Sequence, residues 1–139
     1  MSEFSPKPSN SERNEKLSKR ILFADDEKSI LFGLGMLLEG EGYTVDTVEN
    51  GQLLLDKLEK ENYDLVVTDN NMPIVDGIEA LKQIRGNARF KNLPVIVNSG
   101  DDVGETVKSL GGVFSSKGNS FNILLKKIKD LLSDSVEQV

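Results

Sequence analysis

The chain has no cysteine and no histidine among its 139 residues. The lack of thiols excludes disulfides and zinc-thiolate sites and suits a reducing compartment, which points to a cytoplasmic protein. The lack of imidazole removes the usual general base and the side chain that carries phosphate in relay kinases. If phosphate chemistry occurs here, its donor is another molecule. Nowhere does an apolar run reach the roughly 18 residues that a membrane-spanning helix needs, and no apolar segment near the start resembles a secretory signal. Membrane insertion is therefore not expected. Basic residues are the minority, 17 Lys and Arg against 23 Asp and Glu, a formal charge of -6. Such a balance lacks the broad basic surface that nucleic acid requires, so direct DNA binding is not expected either.

What is present is one domain's worth of core, with 37% hydrophobic and 29% charged residues. Residues 1–18 are rich in Ser, Asn, Pro, Lys and Glu and nearly devoid of apolar side chains, which predicts a disordered N-terminal tail. From Lys19 to the end at 139, strand-length apolar runs alternate with stretches of helical period, the pattern of a parallel sheet built from five βα units. The strands are expected at Arg20 to Ala24, Thr44 to Val48, Leu65 to Thr68, Val95 to Asn98 and Val113 to Ser116. Between them, Ile30, Leu34, Leu37 and Leu38 share one helical face, Leu54, Leu55 and Leu58 a second, and Ile78, Leu81 and Ile84 a third. A fourth helix within Asp101 to Leu110 has only Val103, Val107 and Leu110 as anchors and is expected to be mobile. The last helix is the clearest, with Ser120 as N-cap and a stripe of Phe121, Leu124, Leu125, Ile128, Leu131 and Leu132. Lys126, Lys127 and Lys129 are expected to face water.

In an open parallel sheet, ligands gather outside the carboxyl ends of the strands. The first strand delivers Asp25-Asp26-Glu27 there, the third Asp69, the fourth Asn98-Ser99-Gly100 and the fifth Lys117. Alone, the acidic triplet reads equally well as the first turn of a helix, and Asp69-Asn70-Asn71 more readily as a turn. Together they bring carboxylates to one mouth, where mutual repulsion favours a cation between them. All-oxygen ligands, with no histidine or cysteine to compete, favour magnesium, with manganese as a substitute. A charge-compensated carboxylate can attack phosphorus to give an acyl phosphate. Lys117 and Ser99 offer the point charge and hydroxyl that would hold phosphoryl oxygens.

The ordered set of Asp25-Asp26, Asp69-Asn70-Asn71-Met72-Pro73 with Asp76-Gly77, then Ser99-Gly100 and Lys117 resembles the signature of response-regulator receiver domains of two-component signalling. The resemblance covers about residues 19 to 135. It implies a flavodoxin-like (βα)5 three-layer α/β sandwich with a five-stranded parallel sheet of order 2-1-3-4-5. It implies Asp69 as phospho-acceptor, and magnesium held by Asp26, Asp69 and the main-chain carbonyl of Asn71, with Asp25 acting through water. Ser99 and Lys117 would then hold the phosphoryl group, and Phe114 would be the switch aromatic. The implied donor is a histidine kinase or histidine phosphotransfer protein. With no second domain recognisable after the fifth helix, the expected output is contact with a downstream protein through helix four, strand five and helix five. Such a protein is a switch that catalyses only its own phosphorylation and dephosphorylation, as in a phosphorelay intermediate or a stand-alone receiver.

Two positions depart from the pattern. Gly118 stands where receivers commonly have proline, and polar Asn98 sits in an otherwise apolar strand. Both motivate an alternative, a receiver-like interaction module that works without phosphorylation. A second alternative is an aspartate-nucleophile phosphatase. Such enzymes usually carry an acid/base Asp two residues after the nucleophile, where this chain has Asn71. Asn71 and Asp101 flank the site where receivers tune hydrolysis.

Overall fold

The computed structural model describes residues 18–133. Of the expected tail only Ser18 falls among them, its hydroxyl donating to Gly42 O at 3.2 Å. The rest of that tail, and 134–139 of the expected domain, lie outside the described residues. Five strands, β1 (Arg20–Ala24), β2 (Thr44–Val48), β3 (Leu65–Thr68), β4 (Val95–Ser99) and β5 (Val113–Ser116), alternate with five helices. These are α1 (Lys28–Gly40), α2 (Gly51–Lys60), α3 (Gly77–Arg85), α4 (Gly104–Ser109) and α5 (Phe121–Leu132). A 3-10 turn at Ala88–Phe90 leads into β4. Every strand pair is parallel and the order is β2-β1-β3-β4-β5, the flavodoxin-like arrangement expected above.

Helices cover both faces of the sheet, which is why its inner strands are mostly apolar and buried along their whole length: every residue of β3 and β4 is buried. On one face Leu22, Ala24, Val66, Val95 and Val97 pack with Leu54 and Leu58 of α2, Leu81 and Ile84 of α3 and Val107 of α4. On the other, Ile21, Phe23, Val67 and Ile96 pack with Leu31 and Leu38 of α1 and Leu124, Leu125 and Ile128 of α5. Alternate residues of each strand thus feed different cores, as the pleat requires.

Three local expectations are corrected. The buried face of α1 is turned from the one expected: Leu31, Gly35 and Leu38 are inside, whereas Leu37 is about half exposed. The run from Ile30 to Leu38 is too uniformly apolar for its period to pick a face, and contact with β1 and β2 makes the choice. Ser120 occupies the N-cap of α5, but its side chain caps nothing. Lys127 does not simply face water, since its ammonium donates to Phe114 O on the edge strand at 3.2 Å. The fourth helix is six residues long and buries only Val107.

Gly77, the first residue of α3, lets that helix start directly against the loop that follows β3. A Cβ at this position would fall on the carbonyl of Asp69 and crowd the backbone of Asn70. Both obstacles are backbone and cannot swing away. Gly77→Ala is expected to destabilise the fold by about 1–3 kcal/mol through this overpacking, read from urea or thermal unfolding; an unchanged midpoint would contradict the close approach.

Candidate functional site

The residues of interest sit where the backbone ladder runs on past the strand ends. Asp25 N–H donates to Val48 O (3.1 Å), Asp69 N–H to Ala24 O (2.8 Å) and Lys117 N–H to Ser99 O (3.0 Å). The sheet itself therefore sets the spacing of these residues. Asp25 is 1% exposed and Asp69 6%, while Asp26 lies at the surface. One oxygen from each of Asp25, Asp26 and Asp69 falls within 4.8 Å of the others. The three aspartates named from sequence are thus brought together, and the Asp69 side chain points neither away from them nor into the apolar core.

Lys117 spans the two buried carboxylates, its Nζ 3.0 Å from Asp25 Oδ2 and 3.4 Å from Asp69 Oδ2. Asp25 Oδ1 accepts from Glu27 N–H at 3.0 Å. Its Oδ2 is buried, and although Lys117 is close, no directed hydrogen bond reaches it. Asp69 Oδ1 accepts from Asn70 N–H at 2.7 Å. Burial raises the pKa of Asp69, and the charge of Asp25 raises it further; Lys117 and the Asn70 amide pull the other way without cancelling the rise. Burial works to lower the Lys117 pKa, but the two carboxylates outweigh it and the net shift is upward.

The remaining predicted residues frame this cluster. Ser99 is fully buried and its Oγ accepts from Asp101 N–H at 3.0 Å, so its own proton remains available to a ligand. Phe114 on β5 packs half-buried beside Gly104 of α4, where a Cβ would come within 3.3 Å of its ring. Asn71 is exposed, and its carbonyl accepts none of the backbone hydrogen bonds of its loop, which leaves that oxygen open to a cation. Gly118 follows Lys117 in a turn whose amide is within 3.3 Å of Ser116 Oγ.

Two features escaped the sequence reading. Buried Asn70 organises the loop after β3: its Oδ1 accepts from Ile78 N–H (3.0 Å) and its main-chain carbonyl from Gly77 N–H (2.9 Å). The Asn-to-Gly spacing carried that signal weakly. Asn71 Nδ2 donates to Asp101 Oδ2 at 2.6 Å, tying the β3 and β4 loops together across the mouth. Residues 30 apart in sequence give no local hint of such a bridge. Within the first loop, Val75 N–H bonds Pro73 O across Ile74, whose φ is +74°, the tight turn that carries the chain from the site into α3.

Residues 21–129 match the response regulator receiver domain family. The chain belongs to that family. Over 119 residues this receiver is 38% identical to the CAI-1 autoinducer sensor kinase/phosphatase CqsS of Vibrio cholerae serotype O1, covering 85% of this chain but only 17% of CqsS. Among solved structures it resembles response regulator TrrA of Thermotoga maritima in complex with Mg2+-BeF, at 36% identity and TM-score 0.75, covering 81% of this chain and 98% of that one. It also resembles chemotaxis response regulator CheY4 of Vibrio cholerae, at 27% identity and TM-score 0.76, covering 82% of this chain and 98% of that one. No helix among the described residues is long and apolar enough to cross a membrane.

An acid whose folded pKa is raised weakens the fold once ionised, and that cost is present above the folded pKa and relieved as pH falls through it. Asp69→Asn is therefore expected to raise the unfolding midpoint in metal-free buffer at neutral pH, with the gain shrinking as pH falls toward 3.8, the ordinary aspartate value. A gain that grows on acidification would contradict this assignment.

Proposed function

We propose that the receiver accepts a phosphoryl group on Asp69 from the phosphohistidine of a kinase or phosphotransfer protein, and that the phosphorylated form signals through protein contacts. The observation that carries the reading is the grouping of Asp69 with Asp25, Asp26 and Lys117 at the carboxyl edge of the sheet. A carboxylate oxygen of Asp69 forms the new O–P bond as the donor's N–P bond breaks, and the imidazole nitrogen leaves with the electron pair. Lys117 lies where it can neutralise phosphoryl oxygens, and the Ser99 hydroxyl retains a proton with which to hold one. Phosphorylation adds a charge of about -2, and the face carrying Phe114, α4 and α5 is where its effect would be read.

The donor set fits a magnesium ion. Asp25, Asp26 and Asp69 would hold it together with the Asn71 carbonyl, all hard oxygens, and the buried Asp25 Oδ2 that lacks a directed hydrogen bond is suited to such a ligand or to its bound water. When bound, magnesium would neutralise charge on the transferring group; manganese has similar ligand preferences. TrrA binds Mg2+-BeF, and the same phosphoryl mimic is expected to bind here. Gly118 and Asn98 remain the motive for a phosphorylation-independent module, which would bind no beryllofluoride. The turnover of a phosphatase is not expected, because Asn71 cannot shuttle a proton.

Incubation with acetyl phosphate and magnesium is expected to add the mass of one phosphoryl group, lost in Asp69→Ala and in chelator; unchanged mass in the parent protein would refute the reading. The Asn71–Asp101 bridge ties the β3 and β4 loops together across the mouth of the site, where it would restrict the approach of water to a phosphorylated Asp69. Loss of one hydrogen bond of about 1 kcal/mol in Asp101→Ala is expected to speed loss of the phosphoryl group about fivefold, followed by mass spectrometry over time. An equal or longer lifetime would remove Asp101 from that role.

A further inference from the structure

Asn98 is the one polar residue of β4 that the phosphoryl site does not use. It is 6% exposed, and strand alternation after Ile96 turns it toward the α1 and α5 side of the sheet. Its carboxamide finds no hydrogen-bonding partner among the described residues. Ser115, its register neighbour on β5, is also buried, and its hydroxyl is likewise unpartnered. Buried polar groups in folded proteins are nearly always satisfied; the Asn98 amide is open to the space beside it, where a ligand with both a donor and an acceptor would satisfy it.

That amide borders a cavity rather than packed protein. A space of about 170 Å³ lies between the two helices and the ends of β4 and β5, lined by Ile30 and Leu34 of α1, Phe121 and Leu124 of α5, Asn98, Lys117 and the polar residues of the turn after β5. An apolar cavity of about 150 Å³ is enough to hold benzene. The occupant can therefore be a single ring. Lys117 is already engaged by Asp25 and Asp69 at 3.0 and 3.4 Å, so an anion in the cavity would find no free cation among the lining side chains.

We propose that this cavity binds a small neutral amphipathic molecule, a compact ring or branched aliphatic body bearing a carboxamide or lactam that pairs with the Asn98 amide. A carboxamide both donates and accepts, as such a partner must to satisfy both ends of Asn98. The cavity shares Lys117 with the phosphoryl site, but its occupancy is read on the unphosphorylated protein, so the proposal stands or falls independently of phosphoryl transfer.

The probe is benzamide, titrated into the isotope-labelled 139-residue chain and followed by NMR. Saturable shifts confined to the Asn98 side-chain amide and to residues around Leu34, Phe121 and Leu124 are expected. Methyl benzoate, which lacks the N–H donor, should bind at least tenfold more weakly. Asn98→Leu, which restores the apolar strand pattern, should also weaken benzamide at least tenfold, and Leu34→Phe should do so by filling the space while leaving Asn98 in place. No saturable shift, which would mean the cavity holds only solvent, overturns the proposal. Equal binding by Asn98→Leu, or by Leu34→Phe should Asn98→Leu fail to fold, overturns it too.

Discussion

The fold is organised around an electrostatic conflict at the carboxyl edge of the sheet. Asp25 and Asp69 are both buried and close enough to repel, and Lys117 is the cation placed between them. Two carboxylates against one ammonium leave excess negative charge, and Asp26 at the rim adds more. Desolvation makes that excess costly, as the upward shift of Asp69 records. A site built this way gains from any hard cation, and under the function proposed above a bound cation with Lys117 would offset the charge of the phosphoryl oxygens. The same conflict that weakens the free protein is what makes the site responsive.

Rigid and adjustable parts divide cleanly around it. Asp25, Asp69, Ser99 and Lys117 are fixed by ladder hydrogen bonds continuous with the sheet, and α3 is locked against the Asp69 carbonyl through Gly77. The β4–α4 region is held far more lightly. Helix α4 buries one residue, and Asp101 is tied to Asn71 by a single side-chain bond at the surface. Phe114 lies against the start of that helix, where Gly104 leaves room for its ring. A change of charge at Asp69 thus meets an unyielding floor on one side and a weakly anchored element on the other.

The βα alternation, the sheet class and the identity of the aspartates were legible in the sequence because each depends on local pattern. Strand-length apolar runs mark buried parallel strands, and the residues that follow them fall at one edge whatever the details of packing. The resemblance to receivers supplied the strand order and the roles, which periodicity does not contain. Legibility failed where several local solutions were equally good. The run from Ile30 to Leu38 has too many apolar residues for its period to choose a face, so Leu31 rather than Leu37 is inside. Ser120 has the right identity for a cap but does not use its hydroxyl as one.

The amino-acid sequence by itself determined the elements, the parallel class of the sheet and the chemical character of its mouth: oxygen ligands, one lysine, one hydroxyl and no imidazole. Those properties follow from residue type and short-range spacing. Tertiary structure alone decided that Lys117 spans two carboxylates, that Asn71 reaches Asp101, that Lys127 anchors to the carbonyl of Phe114 and that Asn98 borders a cavity. Each joins residues on different strands, helices or loops, and such distances are set by sheet register and helix packing, which no local pattern encodes.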